Sequence, residues 1–517
     1  MGIFDKFKKQ APSIPEAVAK KIINRKLPRN VEPNSKIRGF DAANSGNLQA
    51  DWFAPSSDIN SLLKGQLTTL KARSRERMRN DDYANGYKRM FVANVVGPFG
   101  MKLQALIKNF DGSRDTFAIE AIEKAWGNWA KYADNVDVAG RENWKDILIQ
   151  LSKNFITDGE VFLRHITGKE GGEYGYRVQV IDSLLCDHTL NSTLENGNRI
   201  ILGVELNRWN KPVAYYFVSN DDPSSILGTN GNKHIRIPAQ EIIHFFTIEF
   251  PGQVRGIPPL SAGINRLKML AGFEEAALVN ARASAARMGF YVRNGDDTTP
   301  GIEDSDGELI DEITPGVMTL LPDGYDIRSF DSQYPDGEIA PFKKNMLRAL
   351  ASGLGVDYPT LGQDLESVNL ASARVAINET RELWKGIQQL FIDNIVTPVY
   401  EMWLLNALIR KKIAVNNTPL QVAYIDKYKE VRWLARRWQF PDPSRDSKAA
   451  LDMMNSRVKS ITTVASDLGI DWETELQTMA KDEELLEQFG LKRISSNQVA
   501  SDALEIQKEQ MDTEEDQ

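Results

Sequence analysis

The feature that most constrains this chain is a change of hydrophobic period along it. "SLLKGQLTTLKARSRERMRN" (61–80) and "NGYKRMFVANVVG" (85–97) place apolar residues at helical spacing up to a stop at Gly97. Between 141 and 250 the pattern shortens behind a helical start. "EVFLRHITG", "YRVQVIDS", "RIILGVELN", "PVAYYFVS" and "EIIHFFTIEF" are brief β-branched or aromatic runs bounded by Gly, Asn and Pro. Helical spacing returns from Gly256, with Leu260, Ile264, Leu267, Leu270 and Leu278 on related faces and alanines that let a neighbouring helix approach closely. Two short β runs, "GFYVRN" and "GVMTLLPDGYDIRSF", surround an acidic loop, and "PFKKNMLRALASGLGV" is a second, shorter helix. The chain therefore reads as α+β, with a mixed, largely antiparallel β region between helical segments.

A polar, glycine-punctuated stretch from Gly353 then runs into one of the longest helices. Leu383, Ile387, Leu390, Ile395, Val399 and Trp403 mark its apolar stripe, and Pro398 predicts a kink. In the preceding loop, Gln363, Asp364, Leu365, Glu366, Ser367, Val368 and Asn369 offer little apolar surface, with Gly362 as a hinge, so the loop should be weakly held. From "PDPSRDSKAALDMMNSRVKSITTVASDLGI" onward Asp and Ser caps and glycine stops describe a small helical array. At 517 residues the chain exceeds what one core organises, which predicts about two to four structural units.

Charge is unevenly spread around a net of −8. Residues 1–40 carry ten Lys/Arg against three acids, and 501–517 carry seven acids against one lysine, so both ends read as solvated arms. From Met288 to Ala340 thirteen acids face two Lys/Arg, whereas Pro341–Val356 holds Lys343, Lys344 and Arg348 and no acid. Adjacent segments of opposite sign suggest an anionic protrusion on a cationic neck. No apolar run approaches the roughly 20 residues of a membrane span, and the N-terminus shows no export signal. The lone Cys186 excludes an intrachain disulfide or a cysteine-based metal site and fits a reducing compartment.

Catalytic signatures are sparse. No GxxxxGK[ST] cradle for nucleotide phosphates occurs, and His165, His188, His234 and His244 show no metal-ligand spacing. His188, in "CDH", has the chemistry of a ligand or base, and reads first as structural. Asp158 and Glu160 in "TDGEVFLRH" would make an acid–base pair; strand alternation instead places them together at a turn, where carboxylates are usually solvated. The basic face of 61–80 likewise reads as solvated rather than as a nucleic-acid contact.

The order of helix, small β unit, returning helix, irregular loop and long kinked helix resembles the portal (head–tail connector) proteins of tailed phages, in detail the lambda type. "RSRERMRNDDYANGYKRMFVANVVG", "IDSLLCDH", "GVELNRWNKPVAYYF", "IPAQEIIHFF", "GQVRGIPPLSAGINRLKMLAGFEEAALVNARASA", "LASGLGVDYPTLGQDLESVNLASARVAINE" and "RWLARRWQFPDPSRDSKAALD" carry the resemblance, which spans roughly residues 40–490.

The resemblance implies a virion structural protein without catalysis or cofactor. About twelve subunits would form a ring at one capsid vertex, passing double-stranded DNA during packaging and ejection. It also implies the parts: a basic arm (1–60), a wing (61–257), stem helices (258–287 and 341–356), a clip (288–340) and a tunnel loop (357–370). A long helix with a returning wing segment (371–440), a helical crown (441–495) and an acidic tail (496–517) complete them. Lys343, Lys344 and Arg348 would face the channel, Gln363–Asn369 would hang into it, and Asp304, Asp306 and Glu308 would dock partners. Those partners would be the terminase large subunit and a head-completion or tail adaptor protein, with major capsid and scaffold proteins around the ring and no membrane. The ring would assemble in the host cytoplasm. One helix per subunit at 8–10 Å spacing gives twelve helices a lumen of roughly 20–28 Å, close to a duplex. Two alternatives remain: a minor capsid or adaptor protein of the head–tail junction, or a carboxylate- or metal-dependent enzyme using Asp158, Glu160 and His188.

Overall fold

The computed structural model describes residues 57–218, 234–285, 289–293, 325–329, 339–364, 366, 370–438 and 443–489. The helical run expected from 61 to Gly97 is two helices. Asp58 caps α1 (Ile59–Asn80) by accepting from the Asn60 amide at 3.2 Å. Asp81 then turns extended, φ −108° and ψ 127°, and its carboxylate accepts from the Ala84 amide at 3.0 Å. One residue thus ends α1 and starts α2 (Asp82–Val95), because a short side-chain acceptor competes with the continuing apolar period for backbone donors.

After β1 (Lys102–Ala105) come α3 (Thr116–Lys131) and α4 (Trp144–Asp158), capped by Asp115 and Asn143. Gly159, at φ +82°, closes α4 and turns the chain into β2 (Glu160–Thr167). A Cβ there would stand 2.2 Å from the Ile257 carbonyl, so two backbones cross with no room for a side chain.

The β region is antiparallel, as its alternation predicts. β2 pairs with β3 (Tyr176–Ile181), the chain meanders through β4 (Ser192–Thr193), β5 (Arg199–Ile201), β6 (Val204–Leu206), β7 (Pro212–Val218) and β8 (His234–Pro238), and β9 (Ile242–Phe246) returns to the other edge of β2. Phe162 faces Ile181 on one side and His244 on the other. "RIILGVELN" is two strands rather than one, turned between Ile201 and Val204.

α5 (Ile264–Ala285) leads to the antiparallel pair β10 (Gly289–Arg293) and β11 (Tyr325–Ser329). α6 (Ile339–Leu354) follows, then a short α7 (Tyr358–Gly362), then α8 (Leu370–Phe391). A π turn over Ile392–Val396 joins α8 to α9 (Thr397–Ile409), so the predicted irregularity lies just ahead of Pro398. Proline has no N–H for the carbonyl four residues back and its ring crowds that carbonyl, which the wider turn accommodates. A β12–β13 hairpin (Ala414–Val415, Thr418–Pro419) and β14 (Val431–Leu434) come next, and β14 pairs with β1 across most of the sequence. α10 (Pro443–Asn455), α11 (Ile461–Asp467) and α12 (Trp472–Gln488) end the described residues.

Aromatic side chains fill the centre. Trp126 lies 4.8 Å from Trp129, 5.0 Å from Trp403 and 5.6 Å from Trp433, joining α3, α9 and β14 around one cluster. Each such contact adds about 0.5–1.5 kcal/mol beyond the area it buries. Two details of the expected core are corrected. Leu278 is 53% exposed, although Leu260, Ile264, Leu267 and Leu270 are buried as expected. Leu383 and Leu390 are also exposed, and the buried line of α8 runs through Trp384, Gln388 and Phe391.

Candidate functional site

The densest chemistry in the chain is buried. Glu160 has no exposed surface and receives Lys71 Nζ at 2.6 Å, Arg255 Nη2 at 2.6 Å, the Gly256 amide at 2.8 Å and His244 Nε2 at 3.0 Å. Arg255 spends its remaining donors on the carbonyls of Cys186, Leu202 and Ser183, at 3.1, 2.8 and 3.0 Å. A second carboxylate, Asp158, holds Arg75 in a two-pronged contact at 2.7 and 2.6 Å and accepts from Ser183 Oγ at 2.9 Å. Arg75 also reaches Asp182 at 2.6 Å, so three cations meet three carboxylates.

Burial alone would raise the Glu160 pKa, but the charges of Arg255 and Lys71 and the His244 hydrogen bond outweigh it and hold the carboxyl well below its usual range. An ionised carboxylate only accepts, so His244 donates from Nε2. Burial pushes the His244 pKa down, which keeps the ring neutral.

This arrangement corrects two expectations. Asp158 and Glu160 do not share a solvated strand face: Asp158 ends α4, Glu160 opens β2, and both are sealed. Nor is the basic face of α1 wholly solvated, since Lys71 and Arg75, four residues apart, turn inward to these acids. A carboxylate with no exposed surface and every neighbour engaged reaches no substrate, so the pair fastens α1, the α4–β2 turn, β9 and residues 183–186 to one another. His188 lies apart, its Nε2 2.7 Å from Thr68 Oγ1, while His234 pairs with Asp187 and His165 with the Tyr176 hydroxyl. Among the described residues no three His, Cys, Asp or Glu side chains are grouped to hold a metal.

The second region of interest joins α5, α6, α7 and Asp364 just after it. Phe273 packs on Phe342 with ring centres 4.9 Å apart, and Lys343 Nζ pairs with Glu274 at 2.6 Å. Lys344 Nζ reaches Asp364 at 2.8 Å, and Arg348 lies over the Tyr358 ring. The Lys344 hydrogen bond, helped by the Tyr358 hydroxyl at 2.6 Å, draws the Asp364 pKa down to about 2.

The loop expected to be weakly held is thus anchored at its start. Asp357 caps α7 by accepting from the Thr360 amide at 3.0 Å, and Gln363 takes the left-handed step with φ +52°. Gly362 is no hinge; it is the last residue of α7, where a Cβ would meet the Tyr358 ring at 3.0 Å. The Glu366 amide donates to Asp364 at 3.2 Å. Leu365, Ser367, Val368 and Asn369 lie outside the described residues, as do Asp304, Asp306 and Glu308.

Comparison with known proteins gives these elements a family. Residues 45–388 match the family model described as phage portal protein, lambda family. The chain is 30% identical over 471 residues to the probable portal protein of Halomonas phage phiHAP-1, covering 90% of this chain and 89% of that one. It is 20% identical over 403 residues to portal protein B of Escherichia phage lambda, covering 72% of this chain and 74% of that one. Among solved structures, the neck of the empty gene transfer agent particle aligns over 78% of this chain and 93% of that one, at 12% identity and a TM-score of 0.41. With its mixed helix-and-sheet fold, the chain belongs to the lambda family of phage portal proteins, the structural head–tail connectors of tailed-phage virions.

Proposed function

We propose that the chain is one subunit of a closed ring, of about twelve copies, at a single capsid vertex, and that double-stranded DNA passes through the ring during packaging and ejection. Family membership across residues 45–388 carries this reading. Residues 258–287 and 341–356 act as the stem, 288–340 as the clip, 357–370 as the tunnel loop and 441–495 as the crown, with 61–257 and 371–440 forming the wing. The packed α5–α6 pair supports the stem assignment through its Phe273–Phe342 contact and Lys343–Glu274 ion pair.

A conduit must not grip its cargo, since Lys/Arg–phosphate contacts dominate duplex affinity. Lys343 and Lys344 are already engaged by Glu274 and Asp364, so a moving duplex would meet muted positive charge. The acidic segment containing Asp304, Asp306 and Glu308 is the docking surface for the terminase large subunit and then for the head-completion or tail adaptor protein. Major capsid and scaffold proteins surround the wing while the ring assembles in the host cytoplasm.

End-on negative-stain imaging of the purified chain tests the ring, and an in vitro packaging assay tests the conduit. A closed ring with a lumen of roughly 20–28 Å is expected. A stable monomer at micromolar concentration in every salt condition would refute it.

A further inference from the structure

A groove of about 710 Å³ opens between the turn after α2, the end of β14 and the loop after α11. Its walls include Val96, Leu434 and Leu468, and Phe99, 78% exposed, stands at its edge. Its charge has one sign: Lys102, Arg436 and Arg437 line it, and among its described lining residues there is no carboxylate.

Neutral groups hold the two arginines in place. Arg436 donates to the Ala93 carbonyl, and Arg437 donates to Gln388 Oε1 at 2.7 Å. Gln388 is itself fixed by donating to the carbonyls of Asn94 at 2.7 Å and Arg436 at 3.0 Å. Lys102 Nζ sits 5.6 Å above the Phe99 ring. Burial lowers the pKa of both guanidinium groups, with Asp467 and Glu382 opposing it at Arg437. An apolar floor with a cationic rim selects an anionic strand that also carries aliphatic side chains.

A segment of that composition exists in the same chain. Residues 501–517 hold seven acids against one lysine, and Val499, Leu504 and Ile506 are interspersed at its start. Reach is sufficient. Ile470 lines the groove, α12 begins two residues later, and its 17 residues carry the chain about 26 Å away. From Gln488 to Leu504 an extended backbone spans up to about 55 Å, enough to return.

We propose that the groove lined by residues 96–102, 434–438 and 468–470 is the docking site of this chain's own acidic C-terminal segment, 496–517. The bound segment covers Phe99 and neutralises the rim, leaving an anionic surface where the groove alone would offer a cationic, sticky one. Displacement by a stronger polyanion would uncover that surface.

The test uses the full-length chain with a photoreactive benzophenone side chain in place of Leu504. After irradiation, mass spectrometry should map cross-links to 96–102, 434–438 or 468–470 within a single chain. Yield should fall several-fold in a Phe99→Ala, Lys102→Glu double variant, whose changes are both at exposed positions, and again near 1 M salt, where the Debye length is about 3 Å. Cross-links confined to other segments would overturn the proposal. So would products joining two chains only, which would make the occupant a neighbouring copy, or a yield indifferent to both the variant and salt.

Discussion

At the scale of single residues, Glu160 ties together Lys71, His244, Arg255 and Gly256 from separate stretches of the chain. Replacing it by Gln would leave Lys71 and Arg255 buried without their counter-charge, and removal of one partner from such a cluster costs about 3–5 kcal/mol. Asp182→Asn, at a half-exposed partner of Arg75, should cost under about 1 kcal/mol. Urea midpoints of the two variants would check this, and equal losses would contradict it. Acid should also weaken the fold at His165, whose pKa burial lowers to about 4. Unfolded histidine titrates near 6.5, so between about 6.5 and 4 the unfolded chain binds the proton that the folded chain refuses, and stability falls with pH. Midpoints at pH 7 and pH 5 should differ, and His165→Gln should shrink the difference. The cluster was half legible in the sequence. "TDGEVFLRH" displays the acids, but Lys71 lies 89 residues before Glu160 and Arg255 95 residues after it, and no local period reports a partner so distant. A carboxylate next to a glycine turn looks solvated until the backbone crossing of Gly159 and Gly256 is known.

Among the elements, α8 shows how one residue can disguise a face. Leu383, Ile387 and Leu390 look like its apolar stripe, yet the buried line lies one residue on, through Trp384, Gln388 and Phe391. Gln388 is 1% exposed with its amide fully used, donating to Asn94 and Arg436 and accepting from Arg437. Hydrophobicity passes over a polar residue whose burial rests on hydrogen bonds. Helices were legible where the apolar period was clear, as in α5 and α6, and misread where a capping carboxylate cut a continuous period, as at Asp81, while α3 and its Asp115 cap went unread. The small α7 was missed because five residues give no period, although Asp357 before Tyr358 and Pro359 is a start signal. Its anchor is testable. Asp364→Asn should leave the thermal midpoint nearly unchanged while amide exchange across 358–364 quickens, because the charged tie to Lys344 is gone. Unchanged exchange would show that the cap alone holds α7.

For the whole molecule, the question is which surfaces are finished. α5 exposes Met269, Leu278 and Val279, and α8 exposes Val375, Leu383 and Leu390. Large exposed apolar side chains in such number would suit packing against further copies in the ring proposed above. Leu278→Asp with Val279→Asp should abolish rings in mass photometry while leaving the far-ultraviolet circular dichroism of the chain intact; rings of normal size would locate the contact elsewhere. The α+β class and the order of elements outside residues 98–140 were legible because period survives without partners. The central tryptophans were not, since Trp126, Trp403 and Trp433 meet only after the chain has folded back on itself. The same return couples folding to synthesis. β1 at Lys102–Ala105 finds its mate only in Val431–Leu434. A ribosome adding about 5–20 residues per second therefore carries the early strand unmatched for tens of seconds. A prematurely terminated polypeptide lacking the later strand would keep that edge open and leave Trp126 without Trp433, so a truncated product would expose an edge and an indole ring that the finished chain buries.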